Sequence, residues 1–316
     1  MKNTALSRTA LTDLAVIALT GADATSFLQS QLTQDVDALG PDRAAVAGYC
    51  TARGRLLASM IVVQKGPDPS DGWLLLTKAD AALSFGQRLR MFVLRAKVDV
   101  TISEAVVVGV RSEDTAPPYG VVRHDNQIWI SAPVRDKAPS ARWWLIDMAP
   151  SDKHPADTGG QTPETKLQAW QADDMAAGLP WIQAATQEAF IPQTVNMDLI
   201  NGISFTKGCY PGQEVVARSH YRGTIKRRMA YATGPSVPAD SVQGLVGTDT
   251  FDTNRPGRPC GRVINAAVAD NILHVLMEVQ LADLDGADFR LETDTGPAVT
   301  IADLPYRIQP DADSDT

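Results

Sequence analysis

Cysteine, histidine and aromatic residues are scarce in this chain. Among 316 residues there are three Cys and four His, and Phe, Trp and Tyr together make up 6%. Three widely spaced cysteines, Cys50, Cys209 and Cys260, disfavour a disulfide framework. An iron–sulfur cluster takes about four thiolate ligands, and the chain has no C-x-x-C or H-x-x-x-H spacing. The sequence therefore predicts free thiols in a reducing compartment and no resident metal.

Long apolar runs and an excess of positive charge are also missing. Near the N-terminus, Asp13 and Asp23 flank an apolar run that is too short to span a bilayer or to act as a signal peptide. The formal net charge is -8, so most of the surface field is negative and disfavours nucleic acid and anionic lipid. We expect a cytoplasmic protein without a membrane partner and without direct nucleic-acid binding.

What the chain does contain is a mixture of helix and strand patterns. Its length exceeds the size at which a single core stops growing, which predicts two or three units. Leu28, Leu32 and Val36 recur at helical spacing behind Thr20 or Asp23 as N-cap candidates. Later, Asp80 opens a second helix, and Thr162-Pro163 opens a third with Thr as N-cap. Strand patterns without a βαβ rhythm separate these helices, so we predict the α+β class.

The pattern changes near residue 226. Short strands separated by Gly, Pro and Asp follow, and they predict a C-terminal all-β barrel. The polar, Pro- and Gly-rich stretch over 149–163 is typical of an exposed linker. We expect an α+β region of two subdomains over residues 1–225 and a β-barrel domain over residues 226–316.

The most unusual segment runs from Gly178 to Arg228 and mixes glycines, amides and charges around a lone cysteine. Pro211 suits a first helical position, so Cys209 is predicted at a helix N-terminus, where its thiolate is favoured. A packing interpretation is also open, in which Cys209 is a small buried hydrophobe. Lys207 stands before the glycine rather than after it, unlike the Lys of a P-loop, so nucleotide binding is not indicated.

This segment resembles a known family. The stretch K-G-C-Y-x-G-Q-E is similar to the signature of YgfZ-type proteins, relatives of the glycine-cleavage T-protein, and so are the flanking FIPQTVNMD, GISF, VVAR and YRG. Upstream, LTGADATSFLQSQLTQDV and YCTARGRLL resemble the N-terminal helix and hairpin of that family. The resemblance covers most of the chain up to about Arg228. It implies a T-protein-like multidomain fold around a central folate cleft.

The resemblance also implies a function and a set of site residues. The function is that of a folate-binding accessory protein that supports the assembly or repair of iron–sulfur clusters in client enzymes, including tRNA-modifying ones. Its cofactor is tetrahydrofolate or a derivative, and its partners are iron–sulfur client or assembly proteins. Cys209 is assigned as the reactive residue. The implied folate-binding residues are Asp13, Trp170, Lys207, Gly208, Tyr210, Gly212, Gln213, Glu214 and Arg218.

Physical chemistry allows these roles without requiring them. A carboxylate such as that of Asp13 can accept two hydrogen bonds from a pterin edge, and the indole of Trp170 offers an apolar stacking face. From the residues alone, Asp13 is equally a local cap and Trp170 equally a core aromatic. The basic island of Arg218, His220, Tyr221, Arg222, Lys226, Arg227 and Arg228 predicts a solvated face. Its alternative is a seat for an anionic folate tail or an RNA phosphate.

Two alternative functions stay open. T-proteins carry an N-A-x-x-x-x-x-D run whose acid activates the folate nitrogen for aminomethyl transfer. In the matching stretch, Thr77 stands in place of the Asn, Leu83 lies near the Asp position, and Asp80 comes three residues early. We therefore expect the acid, and with it aminomethyltransferase activity, to be lost. A folate-responsive binding module without catalysis is the third possibility.

Overall fold

The sixteen strands described in the computed structural model form two five-stranded sheets and a closed six-stranded barrel. The structure describes residues 5–135, 138–150, 161–221, 223, 225–284 and 286–308. The strands are β1 (Ala5–Ala10), β2 (Leu14–Thr20), β3 (Ala45–Cys50), β4 (Leu56–Gln64), β5 (Trp73–Lys78), β6 (Asp99–Ile102), β7 (Val106–Ser112), β8 (Val121–His124), β9 (Gln127–Ala132), β10 (Ala141–Asp147), β11 (Arg227–Pro235), β12 (Asp249–Asp252), β13 (Pro259–Ala269), β14 (Ile272–Gln280), β15 (Phe289–Leu291) and β16 (Ala298–Ala302). The helices are α1 (Ala24–Gln31), α2 (Ala79–Val93), α3 (Pro163–Ala176), α4 (Gln213–Tyr221) and α5 (Ala239–Leu245). The predicted α+β class and the C-terminal barrel are confirmed.

The first sheet has the order β3-β4-β5-β2-β6 and is antiparallel throughout. Its strand β4 is buried at all nine positions, because α1 and α2 cover one face while the other face joins the main core. Burial on both faces explains why β4 and β5 are continuous apolar runs rather than alternating ones. Helix α1 begins at Ala24 with Asp23 as its N-cap residue, as predicted, although Asp23 makes no side-chain capping bond.

The second sheet has the order β1-β7-β10-β9-β8, and α3 connects it to the rest of the molecule. Thr162 caps α3 by accepting a hydrogen bond from the backbone N–H of Thr165 at 3.2 Å, with Pro163 in the first turn, which confirms that prediction. Helix α3 packs against β1 and also against β13 and β14 of the barrel. It therefore lies where the three units meet. Most of the predicted linker, residues 151–160, lies outside the described residues.

The barrel closes in the order β11-β14-β13-β12-β15-β16, and β16 pairs back onto β11. Its interior is a separate apolar cluster that includes Val263, Leu273 and Phe289. The barrel region is not purely β, because helix α5 follows β11 and packs on β13. The first barrel strand begins at Arg227, and a domain boundary after residue 225 stays a prediction. Within the described part of the chain, every helix is too short or too polar to cross a bilayer.

Candidate functional site

Asp13 occupies the turn between β1 and β2, where the first unit meets α3. Its carboxylate accepts hydrogen bonds from the Lys78 ammonium and, at 2.7 Å, from the Gln171 side-chain amide. Lys78 is buried at the end of β5, opposite Leu14 in the register of the sheet. A buried lysine is stable there because it is paired with a carboxylate. Asp13, Lys78 and Gln171 form the group that we call the junction cluster.

Lys78 and Gln171 of the junction cluster line a narrow cleft between the units. Trp181 and Asn265 complete its wall, since Trp181 exchanges backbone hydrogen bonds of 3.0 and 2.7 Å with the Asn265 amide on β13. The cleft encloses about 10 Å³, enough for roughly one water molecule. The Gln171 side-chain oxygen is buried there without a hydrogen-bond partner. Such an orphaned acceptor costs about 1–3 kcal/mol, so the cleft favours a polar guest that can donate to it.

Trp170 precedes Gln171 in α3, and its ring has no free face. Its ring is only 2% exposed, and the Arg142 guanidinium sits 4.1 Å from the ring centroid. Gly109 approaches the ring so closely that an added Cβ would lie 2.5 Å from Trp170 Cε3. Arg142 is itself fixed by Asp174, at 2.6 Å, and by the Trp170 carbonyl, at 3.0 Å. A ligand could stack on Trp170 in this conformation only if Arg142 moved.

Lys207, from the signature segment, is buried and binds backbone carbonyls. Its ammonium donates to the carbonyls of Gln29, Leu32 and Gln34, at 2.5, 2.7 and 2.9 Å. These acceptors lie at the C-terminal end of α1, where helix carbonyls lack intrahelical partners. Burial lowers the pKa of Lys207 from 10.5 to about 8. All three donors are engaged, so Lys207 holds the signature segment onto the first unit and does not reach toward the Cys209 thiol.

Tyr210 and Gly212 continue this anchoring. Tyr210 is buried, burial raises its phenol pKa, and its hydroxyl has no hydrogen-bond partner. Gly212 adopts φ +80°, and an added Cβ would lie 2.4 Å from the Thr51 carbonyl oxygen and 2.6 Å from Gly54 Cα. A residue with a side chain fits neither that backbone conformation nor that space. The Tyr210 hydroxyl is a second buried position that favours a water or a ligand oxygen.

Cys209 is exposed, so the interpretation as a buried hydrophobe is wrong. Helix α4 begins at Gln213, and Pro211 belongs to the preceding turn rather than to the first helical position. Cys209 therefore lies in the loop before α4, because the left-handed Gly212 delays the start of the helix. Around the neighbouring Gly208 an added Cβ would meet no atom within 4 Å. The thiol stands on an open part of the surface.

The remaining signature residues lie on α4. Gln213 is partly buried, whereas Glu214 and Arg218 are exposed on α4. His220 stacks on Phe205 with ring centroids 3.8 Å apart. The signature segment is thus divided between buried anchors and an exposed face.

The basic island does not form one face. Arg228 is buried and makes a two-pronged ion pair with Asp198, at 2.6 and 2.9 Å, so the prediction of a solvated Arg228 is wrong. Arg227 is exposed and pairs with Glu278 at 3.1 Å. Arg222 lies outside the described residues. The described members of the basic island therefore do not all face one common ligand surface.

The region that matches the T-protein acid is also resolved. Thr77 is buried and donates its hydroxyl to the Ser59 carbonyl at 2.9 Å. Leu83 is 61% exposed on the outer side of α2. Asp80 accepts a hydrogen bond from the backbone N–H of Ala184 at 3.0 Å, next to Gln183, which lines the cleft. Of Leu83 and Asp80, the two positions considered for the T-protein acid, only Asp80 carries a carboxylate, and it lies near the cleft.

Sequence reasoning found Asp13 and missed its partners. Lys78 ends the apolar strand GWLLLTK, and a lysine closing a buried strand is a signal for an internal ion pair. Gln171 directly follows Trp170, but an amide in a helix carries no comparable signal. The junction cluster joins β5 and α3, while Lys207 joins the signature segment to α1. The predicted site residues thus belong to two groups with separate hydrogen-bond partners.

Comparison with known proteins identifies the family of this chain. The tRNA-modifying protein YgfZ of Serratia proteamaculans is 30% identical over 319 residues, which cover 96% of this chain and 93% of that protein. This chain belongs to the YgfZ family. The tRNA-modifying protein YgfZ of Yersinia pseudotuberculosis is 29% identical over 321 residues, 97% of this chain and 94% of that protein. No protein-family profile matches the chain.

A solved structure shows the fold of this YgfZ-family protein. The glycine cleavage system aminomethyltransferase T of Bartonella henselae superposes with a TM-score of 0.69 over 96% of this chain and 86% of that chain, at 14% identity. The predicted T-protein-like fold is confirmed. At that identity the similarity concerns the fold alone. The described residues contain no group of three or more His, Cys, Asp or Glu side chains that could hold a metal ion.

Proposed function

We propose that this protein binds a reduced folate at the junction cluster and supports the assembly or repair of iron–sulfur clusters in client enzymes, among them enzymes that modify tRNA. Its family membership supports the second part, since its relatives are named as tRNA-modifying proteins. The observation that carries the first part is the Asp13 carboxylate. It stands at the meeting point of three units, held by Lys78 and Gln171.

The polar groups of the junction fit a pterin. A pterin edge carries N–H groups that can donate hydrogen bonds to the Asp13 carboxylate. The pterin can also donate to the Gln171 oxygen, which has no partner. The cleft volume of about 10 Å³ does not fit a whole pterin. Binding therefore requires the cleft to widen. Arg142 covers the Trp170 ring in this conformation, and the role of Trp170 in stacking stays a prediction.

Titration with tetrahydrofolate tests the first part. A ligand that binds only the folded state raises the free energy of unfolding by about 2.7 kcal/mol at a concentration 100 times its Kd, so the melting temperature should rise. Asp13→Asn should weaken binding about 10- to 100-fold, because a hydrogen bond to a charged acceptor contributes about 1.5–3 kcal/mol. Asp125→Asn, an exposed turn position, removes the same charge and should leave the affinity unchanged. An unmoved melting temperature at millimolar ligand would refute folate binding.

A deletion strain tests the second part. The wild-type gene should restore the activity of the cluster-dependent enzymes, including tRNA modification, while Asp13→Asn should not restore it at equal protein level. If Asp13→Asn loses folate affinity yet restores those activities in full, then the cluster role does not depend on folate. The two parts of the proposal therefore fail separately.

Aminomethyl transfer is the second candidate function, and Asp80 is the observation that favours it. Its carboxylate lies beside the cleft wall, bound to the backbone N–H of Ala184. The main proposal expects no transfer of the methylene carbon from an aminomethylated lipoyl carrier to tetrahydrofolate, and no accompanying release of ammonia. Turnover by the wild-type protein that Asp80→Asn abolishes would favour the transferase instead.

A further inference from the structure

A groove between the first unit and the barrel is lined by three arginines. Arg55 of the β3–β4 turn, Arg227 of β11 and Arg262 of β13 border one cavity of about 430 Å³. Asp249 and Glu278 are the acidic side chains in its lining. None of its lining residues belongs to the cleft beside the junction cluster. We call this cavity the three-arginine groove, and its chemistry is separate from that of the junction.

Arg55 is placed in the groove by the hairpin that carries it. Its backbone carbonyl accepts a hydrogen bond from the Thr51 N–H at 2.8 Å, and its own N–H donates to the Thr51 hydroxyl at 3.2 Å. One Nη of the guanidinium donates to the Ala189 carbonyl at 2.6 Å. A carbonyl carries no formal charge, so this bond positions Arg55 without neutralising it. Within the described part of the chain its Nε and second Nη have no protein partner, so both can donate to a ligand.

Arg227 and Arg262 have carboxylate partners on one side only. Arg227 donates to Glu278 from one Nη at 3.1 Å. Arg262 reaches a single oxygen of Asp249 from Nε and Nη2, at 3.3 and 3.2 Å. The two arginine side chains are 44% and 43% exposed, and ion pairs with that much access to water are weak. An arriving anion can therefore share or replace the carboxylates on both guanidinium groups.

The charges of the groove favour an anion. Three guanidinium groups and two carboxylates line it, so one positive charge is left over in a chain of net charge -8. Glu188 and Lys226 neighbour the groove in sequence but do not line it. A cation would have to compete with the arginines for carboxylates that already have partners. The leftover charge belongs to Arg55, which comes from the first unit, whereas the other two arginines come from the barrel.

The number of donors distinguishes among anions. A guanidinium presents its N–H groups as a planar fork that matches carboxylate and phosphate oxygens. A phosphate monoester has three terminal oxygens and about two negative charges, so each arginine can bind an oxygen of its own. A carboxylate or a phosphodiester offers fewer oxygens and a single charge. The cavity volume lies within the range of small-molecule sites, about 300–1,000 Å³, and Phe190 and Pro259 give it apolar walls for an organic group.

We propose that the three-arginine groove binds the terminal phosphate of an organic phosphate monoester, with the organic part against Phe190 and Pro259. The monoester is either a free small molecule or the 5′-phosphate end of an RNA. Both sources present the same phosphate group to the arginines. The proposal does not depend on folate binding, since the groove and the junction cleft share no lining residue.

Calorimetry with the full chain tests the proposal. Adenosine 5′-monophosphate (AMP) should bind saturably below about 10 mM, inorganic phosphate should bind more weakly, and adenosine should not bind measurably. A tetranucleotide RNA with a 5′-phosphate is the second probe. Binding of this RNA more tightly than AMP would identify an RNA end as the source, and weaker or no binding would identify a free small molecule. The proposal is overturned if AMP does not bind saturably, or if the same RNA with a 5′-hydroxyl binds as tightly as the phosphorylated one.

Variants that remove one positive charge locate the site. Arg55→Gln and Arg262→Gln should each weaken AMP binding by about tenfold or more, because each removes a charge-assisted donor. Arg290→Gln is the matched control, since Arg290 is a barrel arginine that pairs with Asp288 at 3.0 Å and does not line the groove. Equal affinity of Arg55→Gln, Arg262→Gln and Arg290→Gln proteins would overturn the proposal.

Variants that remove a carboxylate should have the opposite effect. Asp249→Asn and Glu278→Gln release Arg262 and Arg227 from their partners, so each should tighten AMP binding by about three- to tenfold at low salt. The gain should shrink at high salt, because exposed charges are screened. Asp249 is 40% exposed, so its replacement should not disturb the fold, and lost packing would not produce tighter binding. Binding of AMP to both variants no tighter than to the wild type would contradict the proposal.

Discussion

Two buried lysines show how differently the two candidate regions are built. Lys78, at the junction cluster, forms an ion pair with the Asp13 carboxylate. Lys207, in the signature segment, donates three hydrogen bonds to backbone carbonyls of the first unit. A side-chain carboxylate can rotate toward an arriving ligand, whereas backbone carbonyls at a helix end are fixed in position. The junction is thus suited to binding, and the buried half of the signature is suited to holding the units together.

The same contrast divides the signature internally. Lys207, Tyr210 and Gly212 face inward, while Cys209 and Glu214 face solvent. A short motif can therefore combine structural anchors and exposed, chemically available side chains at neighbouring positions. Variants at these positions should separate the two contributions, and we order them from the largest expected loss of stability to the smallest.

Gly212→Ala should have the largest effect on stability. The added methyl group would lie 2.4 Å from the Thr51 carbonyl oxygen, at a residue with φ +80°, so backbone on both sides must shift. We expect a loss of about 3 kcal/mol in the free energy of unfolding, measured by urea denaturation. Gly208→Ala is the control within the same motif, because nothing lies within 4 Å of its Cβ. This account of the turn would be contradicted if Gly208→Ala changed the free energy of unfolding by more than about 0.5 kcal/mol, or if Gly212→Ala left it unchanged.

Lys207→Met should cause the second-largest loss of stability. Lys78→Met should instead mainly lower the affinity for tetrahydrofolate. Removing the Lys207 ammonium leaves three carbonyls without that donor, at a cost of about 2–3 kcal/mol. Lys78→Met leaves Asp13 with Gln171 and partial access to solvent, so its cost in stability should be smaller and its cost in tetrahydrofolate affinity larger. Denaturation and ligand titration of both variants give the comparison. If both lose stability and affinity in the same ratio, the two lysines do not have separate roles.

The pH dependence of stability sharpens the contrast. Burial lowers the folded-state pKa of Lys207 to about 8, from 10.5, so between these values the unfolded chain binds more protons than the folded one. The free energy of unfolding of the wild type should therefore rise relative to Lys207→Met as pH increases from about 8 to about 10, by at most about 1.4 kcal/mol per pH unit. A difference that is constant or shrinks over this window would mean that Lys207 keeps an ordinary pKa.

Local patterns predicted much of this molecule. The α3 N-terminus followed from Thr162 and Pro163, and the barrel followed from its turn residues, because caps and turns depend on neighbouring residues. Helix α4 was predicted two residues early, since the left-handed Gly212 depends on contact with the distant Thr51. Helix α5 was missed within a strand pattern. Asp13 pairs with Gln171, 158 residues away, and Lys207 pairs with Leu32, 175 residues away. Pairs so distant leave no local pattern, so the sequence could not predict that the site residues fall into two separate groups.

Alkylation should rank the three cysteines by their environment. Cys50 is buried, and burial raises the pKa of its thiol to about 12. Cys260 is also buried, and burial raises its thiol pKa. Cys209 is exposed, so iodoacetamide near neutral pH should modify it first in the folded protein. Mass spectrometry of partly modified protein measures the order, and equal rates for the three would contradict it.

Cys209→Ser should have the smallest effect on stability and so isolates the chemistry of the signature. An exposed thiol makes no packing contribution, and the change should alter the free energy of unfolding by less than about 0.5 kcal/mol. Cys50→Ser is the control: a hydroxyl buried without a partner costs about 1–3 kcal/mol. If Cys209 acts chemically, the Ser variant keeps its fold and its tetrahydrofolate affinity but does not restore cluster-enzyme activity in a deletion strain. Full restoration would show that the thiol is dispensable and that the exposed face acts through Gln213 and Glu214.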